Sequence, residues 1–237
     1  MSTLVSFIEI KGKIVKGVFE KRRTRFSALV KVEGKTVEAF LPNPGRLQEI
    51  LTSGTKVVLR EALKREARKT VYDLIGVFHK GQKLSVDSRV PNRLVLEALK
   101  NRDIRELSEY HVIKPEYTYG RARFDFLLSG NQKPCLLEVK SCTLVKNGTA
   151  LFPDAKTERG TRHVKELIKA GNEGYRACIL FLIQRTDAYK FSPNDDVDPE
   201  FGRILRHAVL NGVEVYAYSS QFIGNKIVLG EKVNVKL

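Results

Sequence analysis

The chain has 237 residues with 42 Lys or Arg against 27 Asp or Glu, a net charge of +15, and 42% hydrophobic residues. That composition can build one large core or two small ones, and it excludes a disordered polyelectrolyte. No apolar run approaches the roughly 20 residues needed to cross a bilayer, and the N-terminus lacks a basic start with a cleavage site, so a soluble, cytoplasmic protein without a membrane partner is expected. Residues 1–80 hold 17 basic and 8 acidic side chains, and the rest of the chain 25 and 19. The excess therefore lies mostly in the first third. Such a surface favours a polyanion, because each Lys or Arg that meets a phosphate releases condensed counterions. Three cysteines, Cys135, Cys142 and Cys178, show no paired spacing, which points away from a disulfide framework and a zinc site.

In chain order, residues 13–21, 25–32, 35–41, 55–63 and 70–78 read as five strands. Glu33-Gly34 is a tight hairpin turn, since Gly tolerates the positive φ that such turns need. Pro42-Asn43-Pro44-Gly45 breaks the third strand, and Leu47, Ile50 and Leu51 at helical spacing predict a short helix over 46–51. Five strands with a helix between the third and fourth match the OB-fold, a small barrel that binds nucleic acid. Arg22, Arg23 and Arg25 fall at its first hairpin, where such barrels meet ligands. Asn43 and Arg46 stand in a rigid loop at the expected helix start, a place suited to phosphate. Phe19, Phe26, Phe40 and Tyr72 could stack on bases, although most belong in a core.

Beyond a short strand over 84–87, Pro91 suits the start of a helix with Leu94, Val95, Ala98 and Leu99 on its apolar face and Glu97 at an edge. Residues 122–128 alternate, with Phe124, Phe126 and Leu128 opposite Arg123, Asp125 and Leu127. Residues 135–139 are apolar until Glu138, and Glu138 and Lys140 share a face because strand side chains alternate. The polar segment 129–134, with Gly130 and Pro134, reads as the hairpin between them. Folding there brings Asp125 alongside Glu138. Two carboxylates held that close repel unless a cation lies between them, so Mg²⁺ or Mn²⁺ is the expected cofactor. This is the order of the PD-(D/E)xK nuclease motif, Asp125 followed by Glu138-Val139-Lys140.

Asn147-Gly148 marks a turn, and 150–154 and 157–161 read as an irregular loop before a helix over 162–172. Residues 175–183, YRACILFLI, are a strand covered on both faces. A Pro/Asp-rich loop over 191–199, a helix over 199–210, a strand over 213–218 and a hairpin at Gly224-Asn225 complete the chain. His163 and His207 lie on helices without partners at metal-ligand spacing and read as structural or surface residues. The order helix, three strands, helix, strand is that of the PD-(D/E)xK core.

The blocks PNPGR (42–46), VDSRVPN (86–92), RARFDF (121–126), LEVKSCTL (137–144) and LFPDAKTERG (151–160) together resemble the sugar fermentation stimulation protein family, SfsA, over nearly the full length. The resemblance implies an N-terminal OB-fold, a C-terminal nuclease-like domain, DNA binding, and a link to the use of maltose and related sugars. The combined expectation is an OB-fold barrel over 1–82 and a nuclease-like mixed-sheet domain over 83–237. Asp125, Glu138 and the Val139 carbonyl would hold the metal. Lys140 would position the attacking water, and Glu97 would bind the metal directly or through water, as an acid on that helix does in such nucleases. Arg121, Arg123, Lys156 and Arg159 would grip phosphates, and the substrate would be single- or double-stranded DNA. The alternative is a non-enzymatic DNA-binding regulator of sugar-utilisation genes that retains the fold, and subunit number stays open.

Overall fold

The computed structural model describes residues 5–62 and 69–237. Its elements run β1 (Phe7–Glu9), β2 (Ile14–Thr24), β3 (Ser27–Val32), β4 (Lys35–Phe40), β5 (Lys56–Glu61), β6 (Tyr72–His79), β7 (Gln82–Ser85) and α1 (Val90–Lys100). There follow β8 (Val112–Tyr119), β9 (Ala122–Ser129), β10 (Cys135–Cys142), β11 (Leu144–Lys146), β12 (Thr149–Phe152), α2 (Glu158–Asn172) and β13 (Arg176–Ile183). Last come β14 (Lys190–Pro193), α3 (Pro199–Leu210), β15 (Glu214–Ile223), β16 (Lys226–Lys232) and β17 (Asn234–Val235). By contacts the chain forms two compact units, Ile8–Val90 with Gln221–Val228, and the remaining described residues. No helix among the described residues is long and apolar enough to cross a membrane.

In the first unit the strand order is β4-β3-β2-β5-β6-β7, and a further pairing of β4 with β6 closes five strands into a barrel. Glu33 and Gly34 both take positive φ, which gives the β3–β4 hairpin its tight turn. Val30, Leu41, Leu59, Leu74 and Val77 fill the interior without exposure. The helix expected over 46–51 is instead a single turn. Leu47 sits at φ 54, outside helical space, and its carbonyl accepts from the amides of Ile50 and Leu51. The spacing of Leu47, Ile50 and Leu51 reflects burial under the barrel rather than helical periodicity, since all three are buried. The expected end of the fourth strand, at residue 63, lies outside the described residues.

The second unit is built on a sheet of order β1-β16-β15-β13-β10-β9-β8. β13 pairs in parallel with β10 and β15, and seven of its eight residues are buried, as a central parallel strand requires. α2 and α3 pack on the face that presents Phe124, Leu136, Ile179 and Phe181. Two segments expected as loops are strands. β12 and β14 pair in parallel, Ala150 beside Phe191, in a small sheet of order β11-β12-β14-β17. Phe191 anchors that sheet by stacking on Phe181 at 4.1 Å between ring centroids. These strands are too short to show alternation, which is why the sequence reads as loop.

α2 begins four residues earlier than expected. Thr157 is its N-cap, its hydroxyl accepting the Gly160 N–H at 3.1 Å. Asp198 joins two helix starts, accepting the Thr157 N–H (2.8 Å) through one carboxylate oxygen and the Phe201 N–H (3.1 Å) through the other. We expect Asp198→Ala to cost about 2–4 kcal/mol, two buried capping bonds being lost, and Asp198→Asn about half of that. Urea unfolding of the two variants checks the ratio.

Candidate active site

β9 and β10 pair over three residues only, Leu128, Leu127 and Phe126 against Cys135, Leu136 and Leu137. β10 keeps its other neighbour, β13, along its whole length to Cys142. One edge of β10 is therefore held and the other opens after Leu137. At that opening the Val139 N–H has no ladder carbonyl, and the Asp125 carboxylate takes its place, Oδ2 accepting at 2.7 Å. Oδ1 of Asp125 accepts from the Asn92 side-chain amide at 2.5 Å, from the first turn of α1. Burial along β9 alternates as expected, with Phe124, Phe126 and Leu128 buried and Arg123, Asp125 and Leu127 less so. Phe124 and Leu127, three residues apart, both pack against the core beneath α2.

Glu138 and Lys140 share a face of β10, as expected, and the Lys140 ammonium donates to Glu138 Oε1. The same oxygen accepts from His163 Nδ1 of α2 at 2.7 Å. The Arg159 Nε–H points at His163 Nε2 (3.4 Å), so Nε2 accepts and the imidazole proton sits on Nδ1, facing Glu138. Glu138 is 3% exposed, and its second oxygen, Oε2, is buried without a hydrogen-bond partner. Burial works to raise the Glu138 pKa, but Lys140 and His163 outweigh it and hold the carboxyl below its ordinary value. Asp125 goes the other way: burial first, then the charge of Glu138, pushes its pKa up to about 6. The two acids are thus electrostatic neighbours.

The other expected site residues divide. Glu97 turns to Lys100, 2.9 Å away, and Asn92 is the α1 residue that reaches Asp125. His163, read from sequence as structural or surface, is instead a buried partner of Glu138. Arg159 is exposed, and its Nε–H also addresses His163. Arg121 and Lys156 line a cleft of about 610 Å³ together with Arg162 and Lys165 of α2. Arg123 makes only an exposed 3.7 Å pair with Glu116.

On the barrel, Arg22 turns its guanidinium onto its own loop. Its five N–H donors go to the carbonyls of Thr24, Arg25, Asn43, Gly45 and Arg46. Asn43 is buried, its amide donating to the Val86 carbonyl (2.8 Å) and its oxygen accepting the Gly45 N–H (2.8 Å). Both residues therefore shape the PNPGR loop, a correction to their expected role at phosphate. Arg23 pairs with Glu38 at 2.6 Å. A second cleft on the barrel, about 740 Å³, is lined by Lys16, Lys31, Lys56 and Phe78.

Family models match both halves of the chain: the SfsA N-terminal OB domain over residues 21–86 and the sugar fermentation stimulation protein RE domain over residues 89–226. The chain belongs to the sugar fermentation stimulation protein family. Among its relatives, the Caldanaerobacter subterraneus homologue is 44% identical over 96% of this chain and 99% of its own. That of Clostridium kluyveri is 45% identical over 94% and 97%. A solved structure, described as Pyrococcus furiosus SfsA in complex with Ca²⁺, superposes with a TM-score of 0.89 at 27% identity and covers 97% of this chain and all of the other.

The two acids were legible in the sequence, but their supports were not. Asn92 lies in the VDSRVPN block without any spacing that points to Asp125, and His163 follows Glu138 by 25 residues, across a β-hairpin and a helix start. The raised Asp125 pKa has a consequence for the metal-free protein. Above its ordinary value of 3.8 the unfolded chain ionises this carboxyl while the fold resists until about 6, so the group lowers stability as pH rises through that window. Asp125→Asn is expected to raise stability by about 1–3 kcal/mol at pH 8 and to leave it nearly unchanged at pH 3.5, in urea unfolding with chelator present.

Proposed function

We propose that the protein binds DNA through its barrel and hydrolyses phosphodiester bonds at the Asp125–Glu138 site with Mg²⁺ or Mn²⁺. The observation that carries this reading is the Glu138 carboxylate: one oxygen takes two donors, and the other is buried without any. An unpartnered anionic oxygen in a buried site is costly unless a cation meets it. Asp125, pushed toward neutrality by burial and then by the charge of Glu138, is the second oxygen ligand, and the Val139 carbonyl is a third candidate. Two carboxylates with water completing the shell suit a hard, oxygen-preferring ion such as Mg²⁺. The Ca²⁺ in the description of the P. furiosus relative agrees with that donor chemistry.

When bound, such an ion supplies Lewis-acid polarisation of the phosphate and acidifies water. The chain's own residues do the rest. Lys140 sets its ammonium beside Glu138, where it orients the attacking water and offsets charge developing on the phosphoryl oxygens. His163, with its proton fixed on Nδ1, holds Glu138 Oε1 and thereby aims Oε2. Arg121, Lys156 and Arg162, which have no ion-pair partner among the described residues, offer cations to the flanking phosphates. The Lys16–Lys31–Lys56 cleft supplies sequence-independent affinity on the barrel.

The test is cleavage of single- and double-stranded DNA with Mn²⁺, beside Mn²⁺ binding read by water proton relaxation. Asp125→Ala, Glu138→Ala and Lys140→Ala should each lower cleavage on the order of a hundredfold or more. Only the first two should abolish Mn²⁺ binding, and His163→Ala should weaken it about tenfold to a hundredfold. Equal residual cleavage in all variants would remove catalysis from this site and leave a DNA-binding protein that keeps the fold without the chemistry.

A further inference from the structure

We propose that the turn between β2 and β3 is a base-stacking platform for single-stranded DNA, centred on Phe26. This deepens the DNA-binding reading above and rests on it. Arg25 and Phe26 are the two residues of that turn, at a position where hairpins favour Gly, Asn or Asp. Phe26 is 45% exposed and is the one exposed aromatic side chain among the described residues of its unit. Nothing in the barrel core calls for a large ring there. Its ring lies near-parallel to Phe40, with centroids 6.5 Å apart and planes at 26°. The guanidinium groups of Arg25 and Arg89 lie against the two rings, at 5.6 Å and 5.8 Å.

The platform is held in place. Arg22 ties the Arg25 carbonyl (2.6 Å) to the Asn43 carbonyl (2.6 Å) and to Gly45 and Arg46, joining the turn to the PNPGR loop. The Phe26 carbonyl accepts the Leu41 N–H at 2.8 Å, and its own N–H donates to the Thr24 hydroxyl at 3.2 Å. On the other side Asp87 grips Arg89 through both carboxylate oxygens, at 2.8 and 2.7 Å. An exposed ring on a rigid support, edged by arginines, offers a face to an unpaired base and cations to the phosphates beside it. A duplex hides its base faces, so the occupant is a single strand.

The experiment measures binding of full-length protein to a labelled oligothymidylate, to an abasic deoxyribose-phosphate strand of equal length, to a duplex and to oligouridylate, with chelator present. Native protein should bind oligothymidylate more tightly than the other three. Phe26→Ala, and Phe26→Leu, which keeps apolar bulk without a ring, should each lose about fivefold to a hundredfold for oligothymidylate and leave the abasic strand unchanged. Equal binding of the base-bearing and abasic strands, or native affinity in Phe26→Leu, overturns the platform while the nucleic-acid reading stands. Tighter binding of oligouridylate overturns the assignment to DNA. Failure to bind any strand overturns both readings.

Discussion

The Glu138 carboxylate sits where one edge of β10 has lost its neighbour, with two donors on Oε1 and none on Oε2. That asymmetry is the constraint around which the second unit is arranged. A buried anion with half its acceptor capacity unmet is costly to a fold. The surrounding elements preserve the asymmetry. α2, capped at Thr157 and tied through Asp198 to α3, sets His163 and Arg159 in register. α1 supplies Asn92 to hold Asp125, and the early end of the β9–β10 ladder leaves the Val139 N–H to the Asp125 carboxylate.

The same oxygen count explains why the two acids titrate in opposite directions. Glu138 has an ammonium and an imidazole N–H on one oxygen, and its charge is favoured in spite of burial. Asp125 is buried and faces that charge, with amide donors that do not outweigh the two, so it resists ionisation. A pair so divided carries about one negative charge at mildly acidic pH rather than two.

Much of this was legible in the sequence, and the exceptions have physical reasons. Period-two alternation found the five barrel strands, and the apolar run over 175–183 found the central strand, since burial on both faces leaves a composition that no exposed segment has. Leu47, Ile50 and Leu51 misled because burial beneath a barrel can mimic helical spacing when the chain makes a single turn. β12 and β14 were invisible because a strand of four residues shows no period. Asp125 and Glu138 could be paired from the hairpin between them. Asn92 and His163 could not, because their partners lie across tertiary contacts that no local pattern encodes. Arg22 is the sharpest case. Its charge and position in a basic run suggest phosphate, but bonds to five neighbouring carbonyls make it a clamp for its own loop.

The account stands on an ion held between two particular carboxylates, and anomalous diffraction from a crystal soaked in Mn²⁺ addresses it most directly. The prediction is a single strong peak bonded to Glu138 Oε2 and to Asp125, with Lys140 and His163 still on Oε1. A crystal that takes up Mn²⁺ elsewhere, or shows Oε2 satisfied by a protein donor and no peak beside it, would contradict the account.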